Sequence, residues 1–486
     1  MDTIHNFLEE SAKKFPSRAA LIANGRSFSY REVNSAAEKI ASFVASKSAF
    51  QDRIAICLPN SFALVASYFG VLKAGRAALL TDPAIAPDAW KARASLAEPA
   101  LVISGAGVPA AIKKSARGIK IYDADVLTRQ PPVKRKPQRV LPHHVASLLF
   151  TTGTTGSPKG VVVRHVNAVA AADNILKVLK YAPGAVDVNP LPLTHSFGLG
   201  NMHAVCAAGG TVLLHKNFIN LKKILEDIRE YRAESFSATP PIFETLAGPM
   251  SAEFRRNCRY LKMILTNSAP VPPATIKKIL ALAPRADFFT YYGLTEASRS
   301  TFINYRTERK FTSVGKPAPG IAIAVVSPAG RKMTPRRIGE VRIKGPTVVS
   351  GYYKNPRATR ERIKNKWLAT GDYGYCDEHG YLYLTGRTDE VMNIGGNKVY
   401  PHEIEEVLKK HARVADAAVV AMRDPWLGSV PRAVVVVKGA YDEDALREKL
   451  KKLCRARLEP FKVPKIIEFS AGLPRTASGK LQKRLL

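Results

Sequence analysis

Leu148-Leu149-Phe150-Thr151-Thr152-Gly153-Thr154-Thr155-Gly156-Ser157-Pro158-Lys159-Gly160-Val161 is the stretch on which the reading of this chain turns. Val145 to Phe150 is an apolar run that reads as a buried strand, and Val161 to Val163 is a second apolar run. Between them lies a loop of Gly and small hydroxyl residues. Such a loop can wrap a polyphosphate: glycines let backbone N–H groups approach closely, Thr and Ser hydroxyls donate, and Lys159 supplies positive charge. It is not the phosphate loop of the common nucleotide hydrolases, which needs Gly-Lys followed by Ser or Thr; here Lys159 stands between Pro158 and Gly160. Taken alone, the stretch also fits a surface loop rich in Ser and Thr.

Working outward, strands alternate with helices on the N-terminal side. Apolar spacing of helical period covers residues 2–15 and 31–50, with a short strand at Ala19-Ala20-Leu21-Ile22 between them. Arg53 to Cys57 reads as a strand, residues 61–74 as a buried helix closing at Gly75, and Ala77 to Thr81 as a buried strand. Pro59 and Pro83 stop these strands sharply. The alternation continues through Leu101-Val102-Ile103, Val145 to Phe150, Thr211 to His215 and Ser235 to Ala238. Such alternation implies parallel βαβ units, with ligands at the carboxyl ends of the strands.

The chain has 486 residues, too many for one compact core. A hydrophobic content of 46% and a charged content of 23% are ordinary for a globular protein. Cys57, Cys206, Cys258, Cys376 and Cys454 are scattered and form no Cys-x-x-Cys, which argues against a disulfide framework or zinc site and fits a reducing cytoplasm. No basic-then-apolar leader opens the chain, no apolar span is long enough for a bilayer, and no peroxisomal address closes it. The expected location is cytoplasmic. The formal net charge of +34 fits an anionic partner, but the charges are spread along the chain, which favours a general bias of surface composition. The densest cluster, Lys134-Arg135-Lys136 with Arg139, sits in a Pro-rich stretch that reads as an exposed connector.

Further stretches carry chemistry. In Asn267-Ser268-Ala269-Pro270, small residues after a strand would let a flat purine ring approach the backbone. Asp372, in Thr370-Gly371-Asp372, is an acidic side chain able to accept from both hydroxyls of a ribose. With the loop, with Tyr291-Tyr292-Gly293-Leu294-Thr295-Glu296, with Gly386-Arg387 and with Gly479-Lys480, these stretches resemble motifs of the adenylate-forming superfamily in order and rough spacing. That superfamily holds acyl-CoA synthetases, peptide-synthetase adenylation domains and luciferases. The resemblance runs from Phe28-Ser29-Tyr30 to Lys480.

The resemblance implies an α/β fold: a large N-terminal domain, 1–388, of mixed and parallel sheets packed with helices, and a small mobile α+β C-terminal domain, 389–486. It implies that Thr151, Thr152, Gly153, Thr154, Thr155, Gly156 and Lys159 hold phosphates. Ser268, Ala269, Pro270, Tyr291, Tyr292 and Gly293 would surround adenine, with Tyr292 stacked on it. Thr295 would reach the α-phosphate, Glu296 would hold Mg²⁺, and Asp372 and Arg387 would take the ribose. His195, Phe197, Ser237, Ala238, Ser268 and Tyr291 would line the acid pocket, with His195 beside the reacting carboxylate, although a core histidine capping a helix is an equal reading of that position. Lys480 would be catalytic in the first step, Asp389 the hinge, and Gly395 and Gly396 part of the loop that serves the second.

Two departures bear on the substrate. Amino-acid-activating relatives usually place an Asp where this chain has Phe197 and Gly198, so an acid without an α-amino group is favoured, since a buried unpaired ammonium is costly. Many relatives have Gly where Tyr291 stands; if the ring points inward it shortens the pocket, and a small or medium acid is expected. The implied chemistry is ATP-dependent formation of an acyl-adenylate with release of pyrophosphate, then transfer to the thiol of coenzyme A. The alternatives are transfer to the phosphopantetheine of an acidic acyl carrier protein or to an amine, and, from another class, a basic nucleic-acid-binding or scaffold protein on a degenerate fold. The intact set Thr151, Lys159, Glu296, Asp372, Arg387 and Lys480 argues against the last, so no nucleic acid and no membrane span are expected.

Overall fold

The apolar runs become strands of two largely parallel sheets in the computed structural model, which describes residues 1–109, 112–113, 118–133, 138–151, 158–387, 390–394, 397–424, 428–475 and 481–486. One sheet runs in the order Lys120–Asp123, Leu101–Ser104, Arg53–Cys57, Ala77–Thr81, Val145–Thr151 and Lys159–Arg164. Its last pair is antiparallel, with Thr151 opposite Lys159. The loop quoted above therefore closes a β-hairpin and does not lead from strand into helix; the helix His165–Leu179 starts only after the second strand. Ala77–Thr81 is buried at every position, as a parallel strand covered on both faces should be.

The other sheet is nine-stranded among the described residues. Its parallel centre is Asp287–Leu294, Met263–Thr266, Ser235–Ser237, Val186–Asn189, Thr211–Leu214 and Ala19–Ala23, flanked by antiparallel edges that include Ala297–Asn304 and Arg26–Ser29. Helices fill the space between the sheets. Phe62–Lys73 is apolar nearly all round and buried from Ala63 onward; Ser196–Ala207 is buried from Phe197 to Cys206. Tyr30–Lys47 shows one apolar face and starts at a capping box, in which Glu32 N donates to Ser29 Oγ at 3.2 Å and Ser29 N to Glu32 Oε2 at 2.7 Å. One continuous core takes Leu21, Ile54, Leu80, Leu149, Leu265 and Val341 from three different sheets.

The third sheet is antiparallel and contains Ala322–Val326, Gly339–Lys344, Trp367–Cys376 and Leu382–Arg387. After Arg387 the chain builds a separate core around Ile404, Leu408, Val419, Val435, Leu450 and Ile467. Its sheet pairs Val414–Asp424 with Gly428–Val437, and the latter runs parallel to Ile466–Ser470, with helices Pro401–Leu408 and Glu443–Arg455. This is the small α+β unit expected from sequence. The proposed boundary at 388/389, the hinge Asp389, Gly395 and Gly396, Lys134-Arg135-Lys136, and Thr476 to Lys480 lie outside the described residues.

Candidate active site

Strand ends, a hairpin turn and cross-strand pairing bring predicted residues from separate stretches of chain into contact. Strand Asp287–Leu294 and strand Ala297–Asn304 pair with Leu294 opposite Ala297, so Thr295 and Glu296 form a two-residue hairpin turn. A bulge between Tyr292 and Leu294 precedes it. Gly293 is required there, because a Cβ would lie 2.7 Å from Arg299 N and 2.8 Å from Ala297 O. The bulge re-aims the strand end and sets Glu296 inside, 8% exposed.

Glu296 accepts a hydrogen bond from the Tyr352 hydroxyl at 2.7 Å. The ring of Tyr352 faces Lys159, whose Nζ lies 5.7 Å from the ring centroid. Backbone contacts fix this meeting: Val162 N donates to Gly351 O at 3.0 Å and Tyr353 N to Gly160 O at 2.7 Å. Lys159 and Glu296, far apart in sequence, are thus linked through one tyrosine at the stem of the hairpin. Burial and the neighbouring Glu296 carboxylate push the Tyr352 phenol up, so it is the donor in that pair. Thr151 and Lys159 lie at the hairpin stem, whereas Thr152, Gly153, Thr154, Thr155 and Gly156 lie outside the described residues.

The Tyr292 hydroxyl donates to Asp372 Oδ2 at 2.5 Å, and Arg387 Nη1 lies 3.3 Å from Asp372 Oδ1. Asp372 and Arg387 are cross-strand partners, so register alone brings them together. Arg362 donates to Thr370 O at 2.7 Å and packs against Gly371. The turn after Thr266 completes this side: Asn267 Nδ2 donates to Tyr291 O at 2.9 Å. Ser268, exposed, holds φ 88°, a left-handed conformation that a serine adopts at a cost.

His195 sits at the N-cap of helix Ser196–Ala207 without donating or accepting as a side-chain cap, which removes the helix-capping reading. Its ring reaches solvent on one side, but protein on the other lowers its pKa from the ordinary imidazole value. Burial is the main cause, Arg93 adds to it and Asp82 opposes it. Phe197 and Tyr291 pack edge to face, with ring centroids 5.3 Å apart, and both are buried. Ser237 and Ala238 are buried at the end of their strand, and Ser237 accepts from Asn201 Nδ2 at 2.7 Å.

A model of the AMP-binding enzyme family matches residues 8–353, and a model of the AMP-binding enzyme C-terminal domain matches residues 403–480. The chain belongs to the AMP-binding enzyme family. It is 29% identical over 530 residues to the long-chain-fatty-acid–CoA ligase of Bacillus subtilis, covering 100% of this chain and 94% of that protein. It is 30% identical over 507 residues to the oxalate–CoA ligase of Arabidopsis thaliana, covering 100% and 98%. Among solved structures, O-succinylbenzoate coenzyme A synthetase of Bacillus subtilis in complex with ATP and magnesium ion superposes with a TM-score of 0.87 at 26% identity, covering 98% of each chain.

Three side chains of this AMP-binding enzyme's site escaped the sequence reading. Tyr352 and Arg362 lie outside the quoted motifs, and nothing in Gly351-Tyr352-Tyr353 marks the tyrosine that meets Glu296. Arg299 is fully buried against Tyr291, where a charged residue among apolar neighbours gave no periodic signal.

Proposed function

We propose that this AMP-binding enzyme activates a small or medium carboxylic acid with ATP and Mg²⁺ and transfers the acyl group to coenzyme A. The observation that carries this reading is that the strand end from Tyr292 to Glu296 connects two groups, Lys159–Tyr352–Glu296 and Tyr292–Asp372–Arg387. The substrate carboxylate attacks the α-phosphorus of ATP; the bond to pyrophosphate breaks and an acyl-adenylate forms. Both reactants are anions, so the residues must neutralise charge and hold the reactants in line. Lys159, with the loop it closes, takes phosphate charge, and Thr295 takes the α-phosphate. Asp372 and Arg387 hold the ribose, and Tyr292, anchored through its hydroxyl, offers its face to adenine beside Ser268, Ala269 and Pro270.

Glu296 fits a hard divalent cation. It is a buried oxygen donor whose side chain takes one hydrogen bond, from Tyr352, among the described residues. An ion that takes one protein carboxylate would find its other oxygens on phosphate and water. Mg²⁺ there would neutralise charge developing on the phosphates. His195, Phe197, Ser237, Ala238 and Tyr291 line the acid side, and the packed Phe197–Tyr291 pair supports a short pocket.

In the second step the thiol attacks the acyl carbonyl and AMP leaves. Lys480 serves the first step and the Gly395–Gly396 loop the second, after rotation about Asp389. No helix of the described residues is long and apolar enough to cross a membrane. The test is to incubate the enzyme with ATP, Mg²⁺ and a panel of acids, with coenzyme A or phosphopantetheinyl carrier protein as acceptor. A CoA thioester and AMP are expected; acylated carrier protein with no CoA thioester would overturn the choice of acceptor.

A further inference from the structure

Arg299 is 1% exposed, and no carboxylate is among the groups that act on its charge; those are the phenols of Tyr291 and Tyr181. It holds φ 58°, the left-handed region, in a strand rich in buried residues. Its guanidinium donates to Ser196 O, to Phe197 O at 2.7 Å, to Asn201 Oδ1 at 3.1 Å and to Ser298 Oγ at 2.7 Å, while Nε is buried without a partner. Gly200 makes room for it, since a Cβ there would lie 2.7 Å from the guanidinium. The chain thus accepts backbone strain and an obligatory glycine to bury a cation that it does not neutralise.

The place of this cation gives it a role. Its Cζ lies 4.7 Å from the centroid of the Tyr291 ring, on a residue that lines the acid pocket. The carbonyl groups it holds belong to the first turn of the helix Ser196–Ala207, directly after His195, and Asn201, which it also holds, donates to Ser237. The Tyr291 hydroxyl has no hydrogen-bond partner among the described residues, on a residue only 6% exposed. The end of the pocket therefore offers a phenolic donor backed by positive charge. Four neutral acceptors satisfy hydrogen bonds but do not cancel a full charge in a low-dielectric surrounding, so the arrangement is stabilised when an anion arrives.

We propose that Tyr291 and Arg299 form a polar end to the acid pocket and select an acid that carries a second carboxylate at its far end. Tyr291 donates to that carboxylate; Arg299, behind the ring, is a specificity-determining residue that acts on it through the field. This rests on the acid-activating reading above. A site built to hydrogen-bond a substrate group rejects the analogue lacking it more strongly than an apolar wall rejects an extra methylene.

The test measures kcat/KM for pyrophosphate release with length-matched acids, butanoate against succinate and benzoate against terephthalate. The wild type should prefer the diacid of at least one pair by about tenfold or more. Tyr291→Phe and Arg299→Met should each move that ratio toward the monoacid, and Arg299→Lys should restore part of it, which a merely structural arginine would not do. A wild type that prefers the monoacid of both pairs, or a ratio unmoved in Tyr291→Phe, overturns the inference. Should Arg299→Met fail to fold, the wild-type ratio and Tyr291→Phe still decide. Turnover of monoacids alone removes this inference and leaves the acid-activating reading standing; no turnover of any acid removes both.

Discussion

At the scale of single residues, the site depends on a few side chains that hold others. Tyr352 joins Lys159 to Glu296, and its hydroxyl is the donor that orients the carboxylate. Partners that orient a metal-binding carboxylate are typically worth about 10- to 100-fold in affinity or activity. Tyr352→Phe keeps the ring for Lys159 and removes the donor. The expected outcome is a rise of about that size in the Mg²⁺ concentration needed for half-maximal adenylation, with little change in the KM for the acid; an unchanged Mg²⁺ titration would show that Tyr352 does not orient Glu296. The residues proposed to bear the chemistry stand out in sequence because they lie in motifs with fixed neighbours. Tyr352 and Arg299 were not, because their importance comes from contacts that the fold makes. Sequence also left open which way Tyr291 points; packing against Phe197, Phe302 and Arg299 decides where the ring lies.

At the scale of elements, the hairpin Asp287–Leu294 and Ala297–Asn304 is the part most exposed to a small change. Gly293 allows the bulge that turns Thr295 and Glu296 into the site. In Gly293→Ala the added methyl meets backbone atoms, which cannot swing aside. A cost of about 1–3 kcal/mol in stability is expected, with a fall in adenylation beyond what that loss explains, read from urea midpoints and from initial rates. A methyl absorbed with no change in either would show that the bulge is not tight. The strands themselves were legible as apolar runs, since buried parallel strands are apolar throughout. The antiparallel strand Lys159–Arg164 was not, because an apolar run does not state the direction of its partner. The two-residue turn at Thr295-Glu296 was hidden for a related reason: it carries none of the Gly or Asn that usually marks such turns.

At the scale of the whole molecule, the proposed mechanism has the large and small units serve different half-reactions. The described ends of the Lys480 loop are held to the small unit, where Arg475 bridges to Leu481, Gln482 N donates to Pro474 O at 2.8 Å, and Lys483 Nζ lies 2.7 Å from Glu405 and 3.0 Å from Glu390. Lys480→Ala should abolish adenylate formation and spare thioester formation from supplied acyl-adenylate. Asp389→Pro should do the converse, because proline fixes φ at the pivot. Single-turnover assays of each half-reaction read both, and equal loss of the two steps in either variant would contradict the division of labour. The core adds a pH dependence. Burial holds His165 and His203 at about 3, far below 6.5, so the unfolded chain binds their protons first and stability is lost as pH falls from about 6.5 toward 3. Each histidine contributes a slope of at most about 1.4 kcal/mol per pH unit. Asp187, pushed up by burial from 3.8 to about 6, opposes this between those two values, so the loss should steepen below about pH 4. Urea midpoints across pH check it, and a flat profile from pH 6.5 to 4.5 would contradict it. The two-unit architecture was legible from the order of motifs; the buried titrating groups were not, since burial is a property of the assembled core. The central claim is that Glu296 and its neighbours form an adenylating centre. Acid-dependent exchange of labelled pyrophosphate into ATP, in the wild type and in a folded Glu296→Gln variant, tests it most directly. Exchange that requires an acid in the wild type and falls by about a hundredfold or more in the variant is the predicted result; exchange undiminished in Glu296→Gln, or none with any acid in the wild type, would contradict it.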